Sequence, residues 1–296
     1  MKTRTKLLLA FAILVVLALV LGAAFGSEGQ NTAYKPQNEF RLDSWIDLPG
    51  PFDINKAVLY LFLSAGLTTG TMLYIANRMQ ARPNRVQTAV ETLYTFMRDN
   101  IAGGNMPRDM ARKWFLFVGT LFLFIWFNNL IGYIPLPTNS EETFRFLGVD
   151  VPSFALYAAT ANISVPLVLT LVVWISYHVE GIRAKGLVGY LKGWIPAGVE
   201  GAAAGPIFVI EVISHFVRII SLSVRLFANI LAGHLLILFM AGGLVVLLGL
   251  AALGVFTIPL AVAFFLFEVG LVATLQAFIF ATLTAIYLGG AVAEEH

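Results

Sequence analysis

The chain has no cysteine, and only 12% of its 296 residues are charged, against 58% hydrophobic. An ordinary soluble domain carries roughly 25% charged residues. Without cysteine there are no disulfides and no thiolate metal sites. A formal net charge of +2 is too close to neutral to indicate a nucleic-acid partner. No glycine-rich phosphate loop of the Walker type and no zinc-spaced histidine pair occurs. No cofactor or metal is therefore expected. The missing internal repeat argues against transporters built from inverted repeats. What remains is a succession of long apolar runs with a mean hydropathy of +0.82. That composition belongs to a polytopic membrane protein.

The first run, "LLLAFAILVVLALVLGAAFG", follows Lys2, Arg4 and Lys6. Residues 1–26 read either as a retained transmembrane helix or as a signal peptide. Either places residues 27–56 outside. Residues 57–77 form the next span. The stretch after it holds Arg78, Arg82, Arg85, Arg98, Arg108, Arg112 and Lys113 against Glu91, Asp99 and Asp109, so it stays in the cytoplasm. Within it Val86, Val90, Leu93, Tyr94, Met97 and Ile101 share one helical face. Residues 85–101 are expected to form an amphipathic helix lying on the membrane surface or packed on a partner. Spans at 114–136 and 157–177 follow, joined by an external loop with few positive charges. Arg183, Lys185 and Lys192 return the chain to the inside.

The last third forms two long apolar helices, 206–250 and 257–290. From Pro206 to about Leu238 no helix breaker occurs; at ~1.5 Å per residue this is on the order of 50 Å. The hydrocarbon core is only ~30 Å thick, so the pair is expected to be a steeply tilted hairpin. The first of these helices carries polar residues. Glu211, Ser214, His215, Arg218, Arg225 and Asn229 fall within about 60° either side of one line on a helical wheel. Ser221 lies just beyond that edge and His234 lies nearly opposite. Arginine does not neutralise itself, and a central charge costs ~2.5–3.5 kcal/mol on insertion scales. Glu211 can pair locally with His215 or Arg218. Arg225 has no acid within reach on its own helix, because Glu211 is roughly 21 Å away along the axis. Its partner must come from Glu268 or from another chain. His234 and Glu268 are a candidate proton-relay pair; Gln276 is either part of that path or a bridge between helices.

These residues resemble the F-type ATP synthase subunit a family. "EVISHFVRIISLSVRLFANILAGHLL" is similar to the family's arginine-helix motif, and "LQAFIFATLTAIYL" to that of its last helix. "NNLIGYIP", "GYLKGWIP" and the closing "EEH" add to the likeness, which covers most of residues 57–296. The resemblance implies an all-α polytopic membrane protein, with a surface amphipathic helix and a long tilted two-helix hairpin packed against a c-ring. It implies a proton-translocating stator subunit, not catalytic by itself, with two offset half-channels. Arg225 matches the essential arginine between them. Glu211 matches the acid of the inner half-channel, and the implied mechanism places His215 and Ser214 beside it as water-holding groups. Asn229, Ser221, His234 and Gln276 match polar positions of the family. The family's second-helix acid or histidine stands seven residues before the glutamine, whereas Glu268 stands eight before and Val269 takes the expected place. Implied partners are c-ring subunits with a carboxylate facing Arg225, b-type peripheral stalk subunits, the rest of the synthase and the lipid bilayer. The expected location is a bacterial plasma membrane with a cytoplasmic C-terminus. The rival reading is a self-contained secondary transporter or channel using Arg225 and Glu268 as an ion pair.

Overall fold

The structure is a computed structural model that describes residues 40–46, 53–77, 79–80, 82–195, 199, 201–243 and 254–293. The first apolar segment, residues 244–253 (which include the expected end of the helix over 206–250) and the final "EEH" lie outside the described residues. Helix α1 is Lys56–Asn77; α2 is Arg85–Thr95, continued by a π turn Phe96–Ala102; α3 is Arg108–Gly132. Strands β1, Leu136–Phe146, and β2, Val149–Ala155, follow. Helix α4 is Ser164–Lys192, and α5 is Ala204–Leu238 with a π turn Phe239–Gly243. Helix α6 is Gly254–Phe267, a π turn spans Glu268–Val272, and α7 is Ala273–Val292. Five helical spans among the described residues are long and apolar enough to cross a membrane: α1, α3, α4, α5, and α6 running through to α7.

The chain divides into two compact units. One comprises residues 42–231 with 271–296, and the other residues 1–41 with 232–270. In the larger unit α3 and α7 form the central contact, with α1 against α3 and α4 against α7. Small residues explain how closely they pack. Ala273, Ala277, Ala281, Ala285 and Gly289 recur every fourth position on α7, and the four alanines are fully buried. Such a stripe lets helix backbones approach where no hydrophobic effect drives them together. Phe122, Leu123, Ile125 and Val118 of α3 are buried in the same core. Gly132 is required at the end of α3, because a Cβ there would stand 2.5 Å from Ala158 Cβ.

Polar groups tie these helices. Asn129 Nδ2 donates to the Ala273 carbonyl (3.2 Å), and its Oδ1 accepts from Thr160 Oγ1 (2.8 Å). Trp126 Nε1 donates to Thr274 Oγ1 at 3.0 Å. Lys113 Nζ pairs with the buried Glu180 across α3 and α4.

Helix α2 starts where Asn84 Oδ1 accepts from Gln87 N (2.7 Å), an N-cap that satisfies an otherwise orphan donor. The face expected to meet lipid or a partner is partly taken up by this chain. Of that face Met97 and Ile101 are buried and Tyr94 packs on Phe115 (5.2 Å between centroids), while Phe96 next to Met97 packs on Phe122 and Phe278 (5.9 and 5.6 Å). Arg98 donates to both Asp99 oxygens (2.7 and 3.1 Å), which holds the Asp99 carboxyl below the usual carboxylate range.

Two expected spans have other bounds in the structure. The span expected at 114–136 is Arg108–Gly132, begun after Pro107 and ended before Pro135. The span expected at 157–177 is Ser164–Lys192. Ala159–Ala161 is a short 3-10 turn, and Ser164 N donates to Asn162 Oδ1 (3.0 Å) at the true start. The polar "HVEGIRAK" continues the helix up to Gly186, whose φ of 71° breaks it. The loop between these two spans contains a β-hairpin. Leu147 and Gly148, both at positive φ (50° and 85°), form its two-residue turn, the arrangement that matches the natural twist of paired strands.

Replacing Asn129 with Ala leaves the Thr160 hydroxyl and the Ala273 carbonyl buried without their partner. The expected loss is about 1–3 kcal/mol, read as earlier thermal unfolding of the detergent-solubilised protein with its helix content unchanged at 25 °C.

Candidate functional site

In the larger unit the polar stripe of α5 divides into two environments. Ser221, Arg225 and Asn229 are exposed on the surface of the chain. Around them Val217, Ile220 and Val224 are exposed as well. Arg225 Nη2 lies 3.5 Å from Ser221 Oγ, too long for a strong hydrogen bond. Among the described residues no carboxylate pairs with Arg225. On its inner flank Arg225 lines a narrow crevice with Gln276, Leu222, Leu226, Ile279 and Phe280. Gln276 is buried there.

One turn nearer the start of α5 the stripe turns inward. Arg218 Nη2 donates to Glu211 Oε1 at 3.2 Å, and His215 Nε2 lies 3.7 Å from the same oxygen. The local pairing open to Glu211 from sequence is therefore realised. These groups open into a cavity of about 370 Å³, whose walls include Tyr177, Tyr190 and Trp194. Tyr177 hydroxyl oxygen stands 2.9 Å from His215 Nδ1. Arg218 lies over the Tyr287 ring, 5.3 Å from its centroid, a favourable cation–π position. Tyr190 packs so closely on Gly181 that a Cβ there would collide with its ring. That contact follows from the break at Gly186, which folds the end of α4 back along itself.

Tyr177, His178, Tyr190, Trp194 and Tyr287 were not legible as site residues. They come from α4, the segment after it and α7, and the sequence signal for the first two is a pair of aromatic polar residues in a helix that outlasts its apolar run.

In the smaller unit Glu268 is 7% and His234 0% exposed. The Glu268 carboxylate occupies the space that a Cβ at Gly233 would need, so it lies against the helix position next to His234. Phe40 meets the His234 ring edge-on, 6.4 Å between centroids. Glu268 opens the π turn Glu268–Val272. A π turn takes one residue more than an α turn. The extra residue sits at the point where the spacing to Gln276 is eight and not seven. Of the sequence-derived candidates, Glu211 and His215 are brought together, Arg225 and Ser221 are neighbours, and Glu268 reaches α5 beside His234. Ser214 is half-buried.

The sequence model described as "ATP synthase A chain" matches residues 58–289. The chain belongs to the ATP synthase subunit a family. It is 38% identical over 237 residues to ATP synthase subunit a of Rubrobacter xylanophilus, covering 79% of this chain and 83% of that one. It is 34% identical over 259 residues to that of Myxococcus xanthus, covering 86% and 77%. The Helicobacter pylori protein is 35% identical over 248 residues, 84% and 91% of the two chains. As a member of the subunit a family the chain is a multi-pass membrane protein of the ATP synthase complex. The rival reading as a self-contained transporter falls with this finding.

If Glu268 is the acid that the π turn brings to α5, Glu268→Gln slows proton-driven ATP synthesis more than Val269→Ala does. Rates of synthesis in membrane vesicles carrying each variant check the order, and the reverse order removes Glu268 from the path.

Proposed function

We propose that the chain is the proton-conducting stator subunit of an ATP synthase, with Arg225 separating two half-channels that open to opposite sides of the membrane. The observation that carries this reading is the exposed guanidinium of Arg225. It sits on an apolar helix surface, has the Ser221 hydroxyl at 3.5 Å, and has no carboxylate of the described residues as its partner. A charge at membrane depth faces protein or water. The partner that fits is a carboxylate on a neighbouring rotor, meaning a ring of c subunits.

In the order the resemblance implies, protons enter from outside past Glu268 and His234, then Asn229 and Gln276, and neutralise a rotor carboxylate. The neutral carboxyl turns through lipid, where an ionised one is costly. On the far side it meets the inner cavity and loses its proton towards Glu211 and His215. The carboxylate then pairs with Arg225 and is ready to reload. Arg225 also blocks a direct proton path, since a fixed positive charge repels hydronium and arginine does not hand on its own proton. Each charge that crosses 100 mV supplies ~2.3 kcal/mol, and a leak here would dissipate it.

The 35 residues of α5 support the hairpin geometry. At ~1.5 Å per residue they reach on the order of 50 Å, so the helix tilts within the bilayer. A bacterial plasma membrane, a cytoplasmic C-terminus and contacts with b-type stalk subunits complete the proposal.

Arg225→Ala and Arg225→Lys are expected to abolish proton-driven ATP synthesis while the complex still assembles. Synthesis at the wild-type rate in either variant, measured in vesicles with verified subunit content, contradicts the mechanism.

A further inference from the structure

His178 lies off the polar stripe of α5, yet one nitrogen of its ring is left open. Its Nδ1 is 2.8 Å from the Trp174 carbonyl oxygen. A carbonyl only accepts, so Nδ1 carries a hydrogen and, in the neutral ring, Nε2 bears the lone pair. That Nε2 is buried and has no hydrogen-bond partner among the described residues. Buried acceptors are nearly always satisfied, and an exception calls for a functional or solvent explanation. The His178 ring stands 4.9 Å from that of His215, nearly edge-on at 64°. Trp194 packs on both imidazoles, 6.0 Å from His178 and 4.4 Å from His215.

His215 is equally prepared. The Tyr177 hydroxyl 2.9 Å from its Nδ1 can donate or accept, so it serves either tautomer of the ring. With both nitrogens protonated, Nδ1–H donates to the Tyr177 oxygen, and Nε2 has Glu211 Oε1 3.7 Å away, within reach through one water. The other titratable or charged groups around the pair are Arg218 on α5, Tyr190 on α4 and Tyr287 on α7. Glu211 and Arg218 offset each other, so one proton on the two rings leaves the pocket with a single net positive charge. A second proton would put two cations 4.9 Å apart, and like charges at that distance oppose it.

We infer that the packed imidazoles of His178 and His215 act together as a one-proton acceptor at the inner cavity, passing each proton from Glu211 to inner water. The inference rests on the half-channel reading above. In the first step the Glu211 carboxyl O–H breaks as a bridging water takes the proton, and that water gives one up as an N–H forms at His215 Nε2, 3.7 Å from the carboxylate oxygen; the carboxylate is left beside Arg218. In the second the proton leaves to a cavity water directly, or through a water to His178 Nε2, where one O–H breaks as the N–H forms. Tyr177 is a positioning residue that holds His215 in line.

The test is proton flux through the membrane sector in vesicles stripped of the soluble ATPase head, at fixed driving force and varied inner pH. Wild-type flux is expected to show an inflection with inner pH. His178→Gln and His215→Gln each lower the flux about three- to tenfold, and the double variant loses the inflection. A double variant with the wild-type rate and profile overturns the inference. So does one whose flux falls while the profile keeps its shape, since that is the mark of a structural role. If the double variant fails to assemble, Tyr177→Phe keeps the ring and removes the hydroxyl; an unchanged profile there is equally decisive against it. Arg225→Ala reports on the half-channel reading separately: it is expected to remove coupled synthesis in vesicles that keep the head, while the histidine-dependent inflection persists in the stripped ones.

Discussion

A guanidinium that stays charged at any physiological pH, held in an apolar helix surface, is the constraint on which the rest depends. Arg225 has a hydroxyl at 3.5 Å and no acid of the described residues to balance it. The fold therefore leaves one face of α5 uncovered and secures the other elements without it. The alanine stripe of α7 against α3, the Asn129 bridge and the Lys113–Glu180 pair do this work on the far side of the unit. The isolation of Arg225 is functional in this account: a permanent partner within the chain would compete with the passing one.

The inner cavity follows from the same stripe. One heptad below Arg225, Arg218 does have its acid, Glu211, at 3.2 Å. The two arginines share a helix face and differ in what surrounds them. Arg218 sits under Tyr287 within a cavity walled by aromatic hydroxyls and an indole; Arg225 faces outward. One charge is settled locally, and the other has no carboxylate of the described residues beside it.

Much of this was legible. The spans, the charged inner segments and the polar stripe all follow from hydropathy and from the 3.6-residue period. The isolation of Arg225 came from counting acids along one helix. What escaped was set by contacts between distant segments. Lys113 and Glu180 are 67 residues apart, and no local pattern links them. The aromatic wall of the inner cavity depends on a helix break at Gly186 that folds Tyr190 onto Gly181. The β-hairpin hid in a short polar loop because its turn is Leu147–Gly148, and leucine rarely takes positive φ. The eight-residue spacing of Glu268 looked like a departure from the family pattern. The π turn supplies the extra residue, a backbone feature that apolar periodicity does not reveal.

The measurement that bears most directly on the central claim is the position of the Arg225 side chain in the intact, rotor-bound complex at side-chain resolution. The account predicts a rotor carboxylate within about 4 Å of the guanidinium in at least one rotary state, with no acid of this chain nearer. A guanidinium paired with a carboxylate of its own chain in every rotary state would contradict it.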